Sequence, residues 1–295
     1  MRRVGTIFSP YVNAPERLRE AVDAAEASGV AELWIWEDCF RHSAFAVASA
    51  ALAWTDRLRI GIGISPMPLR NVAVTAMEIA TIERLFPGRL LPGVGHGVQS
   101  WMGQVGARVA SPLTLLREYV PALRDLLAGE QVTVGGRYVT LDGVRLDWPP
   151  ERAPLVYAAA EGPKTLHTTG GVADGVVLDS RHTLAELSRS IDRVRAGRQE
   201  AGRTGDADIV AYVVTAFGTD ARARAVASLD DSVYGGLDSD DSADRVLAGS
   251  VEEVAAGVER LFDIGVEDVV LQPTADAEIE AFSASVGEVA RLVGQ

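Results

Sequence analysis

The chain has 295 residues, 47% hydrophobic and 23% charged, which suits one large α/β domain or two ordinary ones and a core that needs no staples. A formal net charge of −13 argues against a nucleic-acid partner, because phosphate backbones call for a basic surface. A single cysteine excludes an internal disulfide framework and any multi-cysteine metal site, and no apolar run is long enough for a signal peptide or a membrane span, so a cytoplasmic protein is expected.

Residues 4–8, VGTIF, read as the first strand. Asn13-Ala14-Pro15 marks a helix entry, and residues 15–28 keep Leu18, Ala21, Val22 and Ala25 on one face until Gly29 stops them. Residues 31–36 form the second strand, so Glu37, Asp38 and Cys39 fall at its carboxyl end. Residues 43–54 are an alanine-rich helix. Residues 58–64, LRIGIGI, are the third strand, whose glycines point to a bulge or a close backbone approach. Residues 72–85 are strongly helical and end at Phe86-Pro87-Gly88. Residues 89–94 are the fourth strand, with Arg89 expected to pair with a helix carboxylate such as Glu78 or Glu83. Residues 98–112 read as a long irregular loop and 113–128 as a helix. Residues 132–134 and 138–140 read as a β-hairpin about a Gly135-Gly136 turn.

Residues 154–179, PLVYAAAEGPKTLHTTGGVADGVVLD, read strand, tight turn, helix and strand. Residues 155–159 are the fifth strand. Gly162-Pro163-Lys164 opens a helix, since proline suits its first position. The first N–H groups of a helix have no partner within it, so with the helix dipole behind them and the ammonium of Lys164, the only lysine, beside them they form an anion site. Gly170-Gly171 is the expected helix stop, and residues 176–178 are the sixth strand. A helix over 183–201, a seventh strand over 209–217 and a helix from Thr219-Asp220 follow. Asp238, Asp240, Asp241 and Asp244 read as a solvated loop. A further helix runs from Ser250 to Gly265, then an eighth strand over 269–271 and a terminal helix to Leu292.

Eight strands alternating with helices imply a parallel sheet with right-handed crossovers, and eight units in this length favour a closed (β/α)8 TIM barrel with a loop and hairpin insertion between strands four and five. No internal repeat or low-complexity linker divides residues 1–295, so a single domain is expected. In such a barrel the active site lies at the carboxyl ends of the strands, which brings Asp38, Ile64, His96, Ala160 and Asp179 to one mouth.

Gly93, Gly95 and Gly97 are spaced GxGxG with no helix directly after them, so a Rossmann fingerprint fails, and neither a P-loop nor a GxSxG elbow is present. His42, His96, His167 and His182 have no ligand-like spacing, so no metal is expected. Asp38 and His96 are the candidate proton carriers, imidazole exchanging protons near neutral pH. Cys39 reads as packing rather than as a nucleophile.

Four stretches, LWIWEDCF, RIGIGISPMPLRNVAVTAMEIATIERLFPGRLLPGVGHG, APLVYAAAEGPKTLHTTGGVADGVVL and AGSVEEVAAGVERLFDIGVEDVVLQP, together resemble the luciferase-like monooxygenase superfamily, and most the branch with deazaflavin-dependent enzymes such as methylenetetrahydromethanopterin reductase. The resemblance implies a luciferase-like (β/α)8 barrel holding coenzyme F-420, a deazaflavin, or FMN at its mouth. It implies a non-prolyl cis peptide at Gly63-Ile64 behind the ring, with Ser65 next to it, and Asp38 facing the ring. It places Gly95, His96 and Gly97 along the ribityl chain or phosphate and Gly162, Pro163 and Lys164 at the phosphate, with Ala160 and Glu161 also among the cofactor-binding residues. Cys39 and the SPMP segment depart from common family patterns and bear on the substrate and the choice of flavin. The expected activity is hydride transfer between reduced coenzyme F-420 and a small organic substrate. The alternatives are an FMN-dependent monooxygenase and, in another class, a non-catalytic flavin-binding barrel. A small-molecule substrate and a homodimer complete the expectation.

Overall fold

The computed structural model describes residues 2–230 and 244–295. Among these residues, eight parallel strands close a barrel: β1 (Arg3–Ile7), β2 (Glu32–Ile35), β3 (Arg59–Pro66), β4 (Leu90–Gly95), β7 (Tyr157–Ala159), β8 (Gly175–Leu178), β9 (Asp208–Phe217) and β11 (Asp268–Pro273). They pair in that order, and β11 pairs back onto β1. Helices α1 (Leu18–Ser28), α2 (Ala44–Trp54), α3 (Val72–Leu85), α5 (Pro112–Leu127), α6 (Pro163–Val172), α7 (Leu184–Glu200), α8 (Ala221–Asp230), α9 (Val251–Asp263) and α10 (Ile279–Leu292) fill the connections. The antiparallel hairpin β5 (Val132–Gly135) and β6 (Thr140–Val144) lies between β4 and β7 in the chain, as the sequence implies.

Strand side chains alternate in direction. One set packs outward against the helices. The other meets inside the barrel as Ile7, Trp34, Leu91, Tyr157, Val177, Val210, Tyr212 and Val270. Trp34 meets Tyr157 and Tyr212 edge-on, with centroids 6.0 and 5.8 Å apart. The glycines of β3 make room for these rings. A Cβ on Gly61 would lie 2.1 Å from the Trp34 indole, and one on Gly63 would lie 2.0 Å from the Tyr212 hydroxyl. The close approach read from LRIGIGI is therefore backbone against aromatic. The Gly63-Ile64 peptide is cis, as the resemblance implied, and Cys39-Phe40 is a second cis bond.

Several expectations are corrected. Residues 98–112 are not wholly irregular. They contain a short helix, α4 (Gln99–Gln104), which turns Met102 into full burial against Gly97. Its single apolar anchor is too few for a period to show. Gly170-Gly171 does not stop α6, which runs on to Val172. A Cβ on Gly170 would sit 2.0 Å from the Val194 carbonyl oxygen, and one on Gly197 would sit 1.8 Å from that of His167. These glycines let α6 and α7 touch backbone to backbone.

The hairpin turn is not Gly135-Gly136. Gly135 ends β5, and residues 136–139 form the loop because the Glu118 carboxylate accepts hydrogen bonds from the backbone N–H groups of Arg137, Tyr138 and Val139. Among the described residues Arg89 pairs with no helix carboxylate. It donates to the carbonyls of Thr55 and Leu58, while Glu83 accepts the N–H groups of Gly88 and Leu90. A strand the sequence reading missed, β10 (Val246–Gly249), pairs with residues 214–217 of β9, beyond the end of β8. Asp238, Asp240 and Asp241 lie outside the described residues, and Asp244 is exposed.

Candidate active site at the barrel mouth

The carboxyl ends of all eight strands open into one cavity of about 660 Å³. Its wall includes five positions that are distant in sequence, Asp38, Ile64, His96, Ala160 and Asp179, so the barrel assembles the mouth that strand counting implied. Gly63, Gly97, Glu161 and Gly162 also line it. Ser65 and Gly95 lie behind the wall. Ser65 is buried near Arg70, and Gly95 is packed under Ile64, where a Cβ would come within 2.8 Å. Pro163 and Lys164 are exposed and outside the lining.

The β2 end is polar. The Tyr11 hydroxyl donates to Asp38 Oδ2 at 2.5 Å, and the Trp36 indole N–H donates to the same oxygen at 2.9 Å. The Arg41 guanidinium lies 4.2 Å from the centroid of the Tyr11 ring. Glu37, one residue earlier, turns the other way: it takes Arg70 through both oxygens and the Ala44 N–H at the start of α2. Cys39 stays a thiol, since burial and the charges of Glu37 and Asp38 push its pKa up.

At the β4 end burial pushes the His96 imidazole below its ordinary pKa, so the ring is neutral near pH 7. The ring lines the cavity, while its Nδ1 is sealed from solvent and has no hydrogen-bond partner among the described residues. At the β7 end Gly162 is the N-cap of α6, and no side chain among the described residues caps it. The first-turn amides therefore remain open beside Gly162 and Thr165, both on the cavity wall.

The β8 end carries a charge cluster. Arg181 Nε donates to Asp179 Oδ2 at 2.8 Å, and Nη2 meets both Asp179 Oδ2 and Glu161 Oε1, the latter at 2.5 Å. His182 Nδ1 lies 3.2 Å from Asp179 Oδ1. Burial alone would raise Asp179, but hydrogen bonds from His182 and Arg181 and their positive charges override it and hold the carboxyl far below its ordinary range. The same pairing outweighs burial at His182 and raises its pKa.

Apolar walls face these polar ends. Ile64, Ala159, Val177 and Val214 line the cavity, and Trp36 tilts against Tyr212 with centroids 6.3 Å apart. A flat ring system with a phosphate-bearing tail fits the arrangement, with aliphatic and aromatic surfaces for the ring, the His96 imidazole on the wall and the uncapped α6 amides for the phosphate. Sequence reasoning missed Tyr11, Trp36, Thr165, Arg181 and Tyr212. All but Thr165 lie near a barrel strand's carboxyl half or just past it, so widening each strand end by two or three residues would have found most of them.

A parallel eight-stranded barrel with one large strand-end cavity and an open helix N-terminus at its rim has the build of a barrel enzyme working on a small molecule. The chain belongs to the luciferase-like monooxygenase family, whose model matches residues 3–288. It is 27% identical over 284 residues to the 5,10-methylenetetrahydromethanopterin reductase of Methanolobus tindarius, an alignment covering 83% of this chain and 86% of that one. It shares its fold, at a TM-score of 0.88 and 21% identity over 100% of this chain and 99% of the other, with a coenzyme F-420-dependent secondary alcohol dehydrogenase solved with an F-420-acetone adduct. The oxygenating constituent of 3,6-diketocamphane monooxygenase from Pseudomonas putida, in complex with FMN, matches at a TM-score of 0.78 and 17% identity over 99% and 98% of the two chains.

Proposed function

We propose that the protein is an oxidoreductase that passes hydride between reduced coenzyme F-420 and a small organic substrate. The observation that carries this reading is the coincidence, in one cavity, of an apolar ring-sized wall, a neutral His96 imidazole and the uncapped start of α6. The sequence likeness to a methylenetetrahydromethanopterin reductase and the fold likeness to an F-420-dependent dehydrogenase favour the deazaflavin. When bound, such a coenzyme supplies two-electron hydride chemistry, and the protein supplies orientation, electrostatics and proton management.

In this reading Ile64 and Val177 support the ring, and the amides after Gly162 hold the phosphate. Asp38, fixed by Tyr11 and Trp36, takes up or delivers the proton that accompanies the hydride, and neutral His96 hydrogen-bonds the coenzyme. The likeness to an FMN-bound monooxygenase favours a second reading, in which FMN occupies the same cavity and oxygen is a co-substrate.

The test is titration of the purified protein with each coenzyme, followed by fluorescence or absorbance. Coenzyme F-420 is expected to bind in the micromolar range and to exchange hydride with a panel of ketones, alcohols and pterins. Tighter binding of FMN moves the assignment to the second reading, and binding without turnover leaves a carrier. Failure of both to bind below millimolar concentration sinks the proposal.

We also propose a homodimer. The exposed apolar side chains of Val74, Met77 and Leu85 on α3 are surface that a second copy would cover. Sedimentation equilibrium is expected to give twice the 31.3 kDa chain mass, and a monomer at micromolar concentration would refute it.

A further inference from the structure

We propose that Arg181, rather than Lys164, is the side chain that neutralises the coenzyme's phosphate, and that it does so by exchanging its contact with Glu161 for one with the phosphate. The inference rests on the coenzyme reading above. Lys164 follows the N-cap in sequence, which is why it attracts attention there. Its side chain is exposed, it lies outside the cavity wall, and among the described residues it pairs with no carboxylate. Arg181 enters the same corner from the next strand. It lines the cavity together with Glu161, Gly162 and Thr165, and its Nη2 lies 2.5 Å from a carboxylate oxygen of the residue just before the α6 N-cap.

The surroundings of Arg181 suit an exchange. Asp179 holds the guanidinium by Nε at 2.8 Å, and also accepts the Arg181 backbone N–H at 3.1 Å. The Arg181 carbonyl accepts a hydrogen bond from Arg245, which is itself paired with Glu186 at 2.7 Å. The head group is therefore anchored whether or not Glu161 stays. Glu161 is the solvent-facing partner, with 63% of its side chain exposed, so it can turn into water at little cost. A phosphate at the α6 amides would meet a planar fork of N–H donors suited to two of its oxygens, which an ammonium does not offer. Left in place, the Glu161 carboxylate repels that phosphate and competes for the fork.

The experiment measures dissociation constants of wild type, Arg181→Met, Arg181→Lys, Lys164→Met and Glu161→Gln by fluorescence titration. The probe pair is coenzyme F-420 and the deazariboflavin lacking its phosphate or, if FMN is the coenzyme, FMN and riboflavin. Arg181→Met is expected to weaken the phosphorylated probe by tenfold or more and the phosphate-free probe by less than threefold. Arg181→Lys should restore only part of the loss. Lys164→Met should cost clearly less than Arg181→Met, and Glu161→Gln should tighten the phosphorylated probe alone. Equal losses for both probes in Arg181→Met, or a larger loss in Lys164→Met, overturn the inference. Because Glu161→Gln removes no cation, its failure to tighten binding overturns the exchange even if Arg181→Met does not fold. No binding by the wild type overturns the coenzyme reading and this inference with it. Wild-type binding with an unaffected Arg181→Met overturns this inference alone.

Discussion

Replacing Arg3 with methionine should destabilise the protein by about 3–5 kcal/mol, the cost of breaking a buried ion pair from one side. Arg3, Glu32, Arg59, Tyr157, Asp208 and Asp268 are each the first residue of a barrel strand, so they meet at the amino end, opposite the cavity. Arg3 Nε lies 2.8 Å from Glu32 Oε1 and 2.8 Å from Asp268 Oδ1, and its Nη2 lies 3.6 Å from Asp208 Oδ2. Arg59 reaches Glu32 at 2.9 Å, the Trp34 indole donates to Glu32 at 2.8 Å, and the Tyr157 hydroxyl donates to Asp208 at 2.7 Å. Glu32 and Asp268 are fully buried. Three carboxylates face two guanidinium groups, and burial holds Glu32 and Asp268 toward their neutral forms. Burial first, then the charges of Glu32 and Asp208, push Asp268 up to about 8. Without Arg3 the excess negative charge has nowhere to go.

The same cluster sets a pH dependence with a definite sign. A carboxyl whose pKa is raised on folding contributes its stability below its unfolded pKa and loses it as pH climbs through the folded one. For Asp268 the window runs from the unfolded value of about 4 to about 8. Stability from this group should fall across it, by at most ~1.4 kcal/mol per pH unit, and level off above. Asp179, whose pKa is lowered, acts oppositely and only below about pH 4. Denaturant unfolding of wild type and Arg3→Met at several pH values reads both effects. A loss under 1 kcal/mol on substitution, or stability rising from pH 5 to 8, would remove the cluster from its assigned role.

Turnover should drop by about 10²-fold or more in Asp38→Asn, with coenzyme affinity held within a few-fold, if Asp38 handles the proton. Asparagine keeps the shape and can still accept from the Tyr11 hydroxyl and the Trp36 N–H, which both end on Oδ2, but it cannot take up a proton. Tyr11→Phe should cost less, because Trp36 continues to fix the carboxylate. The measurement is single-turnover hydride transfer with bound coenzyme, so that binding and chemistry separate. Activity of Asp38→Asn within threefold of wild type would transfer the proton role to another group, with His96 first in line.

The barrel itself was legible because most strands are short apolar runs and the longer helices such as α1 and α3 carry a 3.6-residue stripe, both local properties. The observed ends of α3, Val72–Leu85, match the reading to the residue, since Asn71 caps the helix and the Phe86-Pro87-Gly88 break ends it. Where a local signal had two meanings, it misled. Gly170-Gly171 is a helix stop by propensity and a helix contact in fact, because the deciding neighbours, Val194 and the backbone near Gly197, arrive from α7. The six-residue α4 has too few turns to show a period.

The sequence by itself determined that eight βα units would stack and that Asp38, Ile64, His96, Ala160 and Asp179, each at a strand's carboxyl end, would share one mouth, since parallel strands in a closed barrel all end on the same side. Only the tertiary structure decided which charges meet: Arg181 with Glu161 at the α6 N-terminus, Tyr11 with Asp38, and Arg3 between Glu32 and Asp268. Electrostatic pairing depends on distance in space, and at those points the barrel brings together residues up to 265 positions apart.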